Sequence, residues 1–321
     1  MRLPEYLSPS SLSKWERDQE EYYKHYLSDN RMPRSKQTEA MSVGSAFDSV
    51  VKSYLHIAIY GNEGEFSKEE LFEKQVEPHN RDFAWEAGEI CFEAYKKTGA
   101  LSDLLTLLHK SDIQPQFEST IKREVKGVTL LGKPDIFFSI EERLVIYDWK
   151  VNGYCSKKGM IPSRGYIMIR DSWDSKDHKE SRGNNCPHKD SHPMMVNGIM
   201  VNVGEKMETI NAKWALQLSV YAWLLNEPIG GDFLIGIDQL ACRNGKIRVA
   251  KHRNYVGADF QLNAFYRFLN LWEIIHSDHI FRDLDISESA ARCELLDIVN
   301  NNNNNSNNNT WFKEACSGRK W

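Results

Sequence analysis

The segment Leu144-Val145-Ile146-Tyr147-Asp148-Trp149-Lys150-Val151 is apolar on both alternating faces until its end. Successive strand residues point to opposite faces, so a run that is apolar on both needs cover above and below. It reads as the central strand of a sheet packed between layers. Its neighbours fit. Phe117 to Val125, Val128 to Leu131 and Ile136 to Ile140 are short β-rich runs, with Lys126-Gly127 and Glu141-Glu142-Arg143 as turns between them. The four runs predict an antiparallel meander.

Before them the chain is helical. A serine-rich cap at Ser8-Pro9-Ser10-Ser11 precedes Leu12, Trp15, Tyr22, Tyr23 and Tyr26 at helical spacing. Met41 to Tyr60 predicts a second helix, whose small residues Gly44, Ser45 and Ala46 allow close backbone packing. Ser67-Lys68-Glu69-Glu70 is a capping box, and amphipathic helices run on to Leu108. After the strands, residues 152–211 are polar and irregular, and a loop of that length is usually functional or separately stabilised. Helical spacing resumes at Trp214, with Leu216, Val220, Trp223 and Leu224 on one face. Phe233 to Leu240 and Lys246 to His252 predict a hairpin around Arg243-Asn244-Gly245, and Phe260 to Ile280 a long helix. The Asn-rich run 300–309, broken only by Ser306, reads as a disordered linker. The expected organisation is an N-terminal helical portion over 1–115 packing on a core. That core spans 116–285 with its insertion at 152–211, and a tail follows over 286–321.

Composition narrows the class. The 321 residues carry a net charge of −4, which argues against a simple electrostatic nucleic-acid binder. It is compatible with a metal-dependent enzyme, whose carboxylates count as negative until cations bind. No apolar run approaches the roughly 20 residues of a membrane helix, and the start, Met1 to Tyr6, lacks a signal-peptide core. Six scattered cysteines do not form a disulfide scaffold. A cytoplasmic protein is expected, in the host cytoplasm if it is phage-encoded.

Chemistry concentrates in Gly132-Lys133-Pro134-Asp135 and Asp148-Trp149-Lys150. Asp148 and Lys150, two apart on a strand, share a face. Asp135 opens the preceding strand, so a hairpin brings it alongside. Two carboxylates suit Mg²⁺ or Mn²⁺, and the ammonium can hold a water beside the ion. A Pro-Asp followed within about 20 residues by acid-x-Lys arises by chance in roughly one chain in ten, so alone it is weak. Gln217 and Tyr221, at i and i+4, add two polar groups on one helical face.

Taken together these motifs resemble the PD-(D/E)XK nucleases in their RecB-like branch. The resemblance rests on Pro134-Asp135, Asp148-x-Lys150 and Gln217-x-x-x-Tyr221. It is extended by the opening Ser8 to Leu12, by Tyr22-Tyr23, and by the helix Val43 to Asp48. It implies an α/β fold with a restriction-endonuclease-like core, a central mixed β-sheet flanked by helices, and an N-terminal helical portion. It also implies that Asp135 and Asp148 bind the catalytic metal, that Lys150 positions the attacking water, and that Gln217 and Tyr221 stand beside the site. Asp48 occupies the place of the family's usual metal-binding histidine, and a carboxylate serves a hard cation equally well. Glu124 is either a further acidic ligand or an exposed strand residue. No iron–sulfur cluster is expected, because Arg17-Asp18-Gln19 has no cysteine and Cys293 and Cys316 are too few.

The insertion contains Cys155, His178, Cys186, His188 and His192, which could staple the loop with a structural Zn²⁺ or simply be polar loop residues. Its lysines and arginines could form one wall of a DNA groove. The resemblance implies a DNA exonuclease in recombination, repair or phage DNA metabolism. No helicase phosphate loop is present, so a helicase, recombinase or phage assembly partner would be a separate chain. Two other readings stay open: a catalytically silent DNA-binding or scaffolding module, and an RNA-processing nuclease. Oligomeric state, strand polarity and the choice between exo- and endonuclease are not legible.

Overall fold

The computed structural model describes residues 2–62, 64, 66–171 and 192–277. Its ten strands are β1 (Gln116–Phe117), β2 (Ile121–Val125), β3 (Val128–Gly132), β4 (Ile136–Ile140), β5 (Arg143–Asn152), β6 (Met168–Asp171), β7 (Pro193–Val196), β8 (Ile199–Asn202), β9 (Leu234–Arg243) and β10 (Lys246–Tyr255). The helices that matter here are α1 (Pro9–Arg17), α2 (Gln19–Tyr22), α3 (Glu39–Tyr60), α4 (Lys68–Gln75), α5 (Arg81–Lys97), α6 (Ala100–Leu108), α7 (Met207–Leu224) and α8 (Ala258–Ile275). Two compact units emerge. Among the described residues, one comprises those within 36–121 and 132–263, and the other those within 2–35, 122–131 and 264–277.

The first unit holds a six-stranded sheet in the order β1-β4-β5-β9-β10-β6. β5 is antiparallel to β4 and parallel to β9, so the sheet is mixed. As its apolar pattern requires, β5 is covered on both faces. Val145, Tyr147 and Trp149 pack with Phe47 and Val51 of α3, Tyr95 of α5 and Leu104 of α6. Ile146 faces the other way, onto Trp214, Leu218 and Tyr221 of α7. Val145, Ile146 and Tyr147 are at most 1% exposed, and burying an aliphatic or aromatic side chain contributes about 1.5–3 kcal/mol. The fold is thus α/β, a mixed sheet between helical layers.

The helices of this unit start and stop where their ends are satisfied. The Thr38 side chain accepts from Met41 N at the start of α3, and Gly61, with φ of +77°, closes it. Of the small residues near its start, Ala46 makes the close approach. A Cβ on Gly88 of α5 would lie 2.7 Å from Ala46 Cβ, so only glycine lets the two backbones come together here. Gly44 has open space beside it instead. The hairpin β9–β10 forms around Asn244-Gly245, both with positive φ, as a two-residue turn favours.

The expected meander is corrected. β2 and β3 form a separate two-stranded sheet, and β1 is the strand beside β4. The cause lies in β2, where Lys122, Arg123 and Glu124 are consecutively exposed. A strand with no apolar face cannot enter a sheet covered on both sides, whereas β1 brings Phe117. Among the described residues of the polar stretch 152–211, β6 joins the main sheet and β7–β8 form a hairpin, where the sequence predicts an irregular loop.

In the second unit Leu7 is clasped by β3, its N–H donating to Thr129 O and its carbonyl accepting from Leu131 N, each at 2.8 Å. Ser8 then caps α1 reciprocally with Ser11, and Pro9 sits where a missing N–H costs nothing. Arg267 binds Glu16 through two hydrogen bonds of 2.6 Å. Among the described residues, no helix is long and apolar enough to cross a membrane.

Candidate active site

The site lies where the ladder on one side of β5 ends. β4 begins at Ile136, opposite Tyr147, whereas β9 stays paired with β5 through Asn152. Residues from Asp148 onward therefore leave one strand edge open. Asp148 and Lys150 share the face of Ile146, toward α7. Asp135, just before β4 and preceded by buried Pro134, comes to stand beside them. Its Oδ2 accepts from Trp149 N at 3.4 Å, and it is hydrogen-bonded to Asp148.

Lys150 is held from two sides. Its ammonium contacts the Asp148 carboxylate and donates to Gln217 Oε1 at 3.3 Å. Gln217 Nε2 in turn donates to the Tyr221 hydroxyl at 2.8 Å. The helix carrying both is anchored at Asn211, a non-helical residue whose side chain accepts from Lys213 N and Trp214 N. Gly132 has a packing role in the same place. A Cβ there would lie 2.6 Å from Tyr221 Cδ1.

Asp48, on α3, reaches the site through Lys52. The Lys52 ammonium, with no exposure of its side chain, donates to Asp48 Oδ2, to Glu118 Oε1 and to Asp135 Oδ1, the last at 2.9 Å. Glu118 follows β1, with φ of +52°, and its N–H donates to Asp135 O at 3.1 Å. That bond places its carboxylate next to Asp135. The other Glu118 oxygen meets the Lys133 ammonium. An open cleft lined by Gly44, Ser45, Asp48, Asp135 and Trp149 leads to the cluster.

The carboxylates are tuned apart. Burial pushes Asp135 up, but Lys52, the hydrogen bond from Asp148 and the charge of Lys150 outweigh it and hold its carboxyl below the usual range. Burial raises Asp148 well above that range despite Lys150, with Asp135 adding to the rise. The two carboxyls titrate as a pair. Asp48 is pushed up to about 6, by burial first and by Asp135, against the opposing charge of Lys52. Both Lys52 and Lys150 are held charged, because adjacent carboxylates outweigh the effect of burial.

This donor set fits a hard divalent cation. Every candidate ligand is a carboxylate oxygen. Asp48, Glu118 and Asp135 offer oxygens within 4.8 Å of one another, the one such group among the described residues. Asp148 Oδ2 is buried and accepts no hydrogen bond, although the Lys150 ammonium lies against it. The chain's own ammonium thus answers that oxygen by charge.

All six residues singled out in the sequence, Asp48, Asp135, Asp148, Lys150, Gln217 and Tyr221, thus lie in one neighbourhood. Lys52 and Glu118 were not foreseen. Glu124, considered as a further ligand, is exposed on β2 in the other unit. Of the residues considered for zinc, Cys155 and His192 are exposed, and His178, Cys186 and His188 lie outside the described residues.

No family model matches the chain, and no curated protein matches it. Among solved structures, one from Eubacterium rectale named "Putative exonuclease" is 14% identical over 85% of this chain and 83% of its own, with a TM-score of 0.42. A second, SSO0001, is 10% identical over 74% of this chain and 79% of its own, with a TM-score of 0.24. What the site can do follows from its own geometry.

Proposed function

We propose that the chain is a metal-dependent deoxyribonuclease of the PD-(D/E)XK type, in the RecB-like branch, that hydrolyses phosphodiester bonds at DNA ends. One observation carries the reading: Asp135, Asp148 and Lys150 converge at the open edge of β5, with Gln217 and Tyr221 holding the ammonium from behind.

Asp135 and Asp148, with Asp48 at the mouth of the cleft, are the residues that would hold Mg²⁺ or Mn²⁺. When bound, such an ion supplies Lewis-acid polarisation of the phosphate and lowers the pKa of a nearby water. The protein's own groups do the rest. Burial pushes the Asp148 carboxyl up against the pull of Lys150, and a cation held there would favour its ionised form. The Lys150 ammonium, fixed by Asp148 and Gln217, can orient a water toward phosphorus and stabilise the negative charge growing on its oxygen. As the new O–P bond forms, the attacking water gives up a proton to solvent and the bond to the 3′-oxygen breaks, that oxygen taking up a proton from solvent, leaving a 5′-phosphate and a 3′-hydroxyl. Tyr221 and Gln217 keep the ammonium from swinging away, which preserves its aim.

The test is digestion of end-labelled single- and double-stranded DNA, with RNA in parallel, in Mg²⁺, Mn²⁺ or EDTA. Metal-dependent cleavage is expected, falling about 10²–10⁴-fold in Lys150→Ala and at least as far in Asp148→Ala. Failure to cleave with either metal, while DNA is still bound, would replace the enzyme by a binding module. Preferential cleavage of RNA would change the substrate.

A further inference from the structure

The most unusual group in this unit is Lys52. A lysine with no exposed side-chain surface is rare, and this one lies in the middle of a 22-residue helix. Its ammonium has three protons, and three carboxylates from three separate elements accept them: Asp48 from α3, Glu118 from the end of β1, and Asp135 from the start of β4. These are the same three acids whose oxygens lie close enough to chelate an ion. The position that a divalent cation would take between them is therefore filled by a cation belonging to the chain. Glu118 is occupied twice over, since Lys133 meets its second oxygen. Asp48 and Asp135 differ from it: both line the cleft, and each has a second oxygen that Lys52 does not touch.

We propose that Lys52 is a resident cation that takes the place of a second metal ion, so that the site binds a single divalent ion from the cleft side. The inference rests on the site being a metal site, as proposed above. Two physical arguments support it. First, Lys52 cannot easily be displaced: it is enclosed, and withdrawing it would leave three half-buried carboxylates facing one another. Second, the charges are already close to balance. Asp48, Glu118, Asp135 and Asp148 bring four formal negative charges, against three positive from Lys52, Lys133 and Lys150. One divalent ion takes the cluster to a single positive charge. A second would add two more in a half-buried setting, with no carboxylate left to answer them. Lys52 also joins the three elements at one point, making it a positioning residue for Asp48 and Asp135.

The experiment counts ions. The purified full chain is titrated with Mn²⁺ without DNA, by calorimetry and by loss of the free-Mn²⁺ electron paramagnetic resonance signal. The wild type should bind one Mn²⁺. Lys52→Met and Lys52→Gln, which remove the charge, should bind two, with the spectrum of a coupled pair. Lys52→Arg, which keeps the charge, should stay at one. Glutamine keeps hydrogen-bonding capacity, so it serves if the methionine variant does not fold. Two ions in the wild type, or a single ion in both uncharged variants, would overturn the role of Lys52. Absence of any Mn²⁺ binding in the wild type would sink the metal reading itself, whereas one bound ion without DNA cleavage would leave Lys52 as proposed and remove only the nuclease.

Discussion

Two clusters of buried charge lie in the same unit, and they are built to opposite ends. In one, Asp238 of β9 accepts from the hydroxyls of Tyr95 and Tyr147 at 2.5 and 2.6 Å and pairs with Arg253 of β10 at 3.2 Å. The Arg253 guanidinium also donates to backbone carbonyls of Ile237 and His252 and lies 4.5 Å above the Tyr147 ring. One acid meets one base, both oxygens are used, and Asp238 has no exposed surface. In the other cluster, four acids face three lysines beside an open cleft, and one buried Asp148 oxygen accepts no hydrogen bond. Burial and charge are common to both. What separates the closed cluster from the open one is an excess of acids over bases next to an opening.

The comparison can be broken by substitution. Asp238→Ala leaves Arg253 buried without a counter-charge, so it should cost about 3–5 kcal/mol in urea unfolding. A cost under about 1 kcal/mol would show that the closed cluster is not structural. An effect spread over pH is expected from His252, which sits beside that cluster on β10. Burial and the adjacent Arg253 depress its pKa to about 3. Folding therefore favours the neutral ring, and the stability it contributes is complete above about 6.5 and lost as pH falls toward 3. Within that window stability should fall by up to about 1.4 kcal/mol per pH unit. His252→Gln should flatten the slope, and an unchanged slope would assign the acid sensitivity elsewhere. The smallest effect belongs to the open cluster. Burial pushes the Asp148 carboxyl up, and its lysine partner stays beside other acids, so an amide of the same shape should leave ion-free stability within about 1 kcal/mol of wild type. Thermal unfolding of Asp148→Asn without metal measures this, and a loss comparable to Asp238→Ala would erase the distinction.

Legibility followed the range of the interactions. The strand β5, its acid-x-Lys ending and the i, i+4 pair Gln217 and Tyr221 are local patterns, and period alone puts their side chains on one face. The hairpin relation of Asp135 to Asp148 was legible for the same reason. Glu118 was not, because it follows a two-residue strand in a left-handed conformation and reaches the site only through pairing with Asp135. Lys52 reads as an ordinary helix lysine. The available signal was its place four residues after Asp48, with Val51 and Leu55 beside it on a buried face. β2 and β3 show the limit from another side: their turn was plain, but which sheet they enter depends on strands elsewhere in the chain.

The two ladders of β5 also differ in how far along the chain their partners lie. β4 is joined to β5 by the tight turn at Glu141-Glu142, where both residues have positive φ. Such a hairpin closes in about 1–10 μs. β9, by contrast, brings Ile237 to Asp148 from about 90 residues further on, and pairing at that separation is slow. The acids Asp135 and Asp148 can therefore meet early in folding, before β9 arrives to complete the sheet around them. For that interval two carboxylates stand together on a lone hairpin in water, where a divalent ion could bind and hold the turn closed.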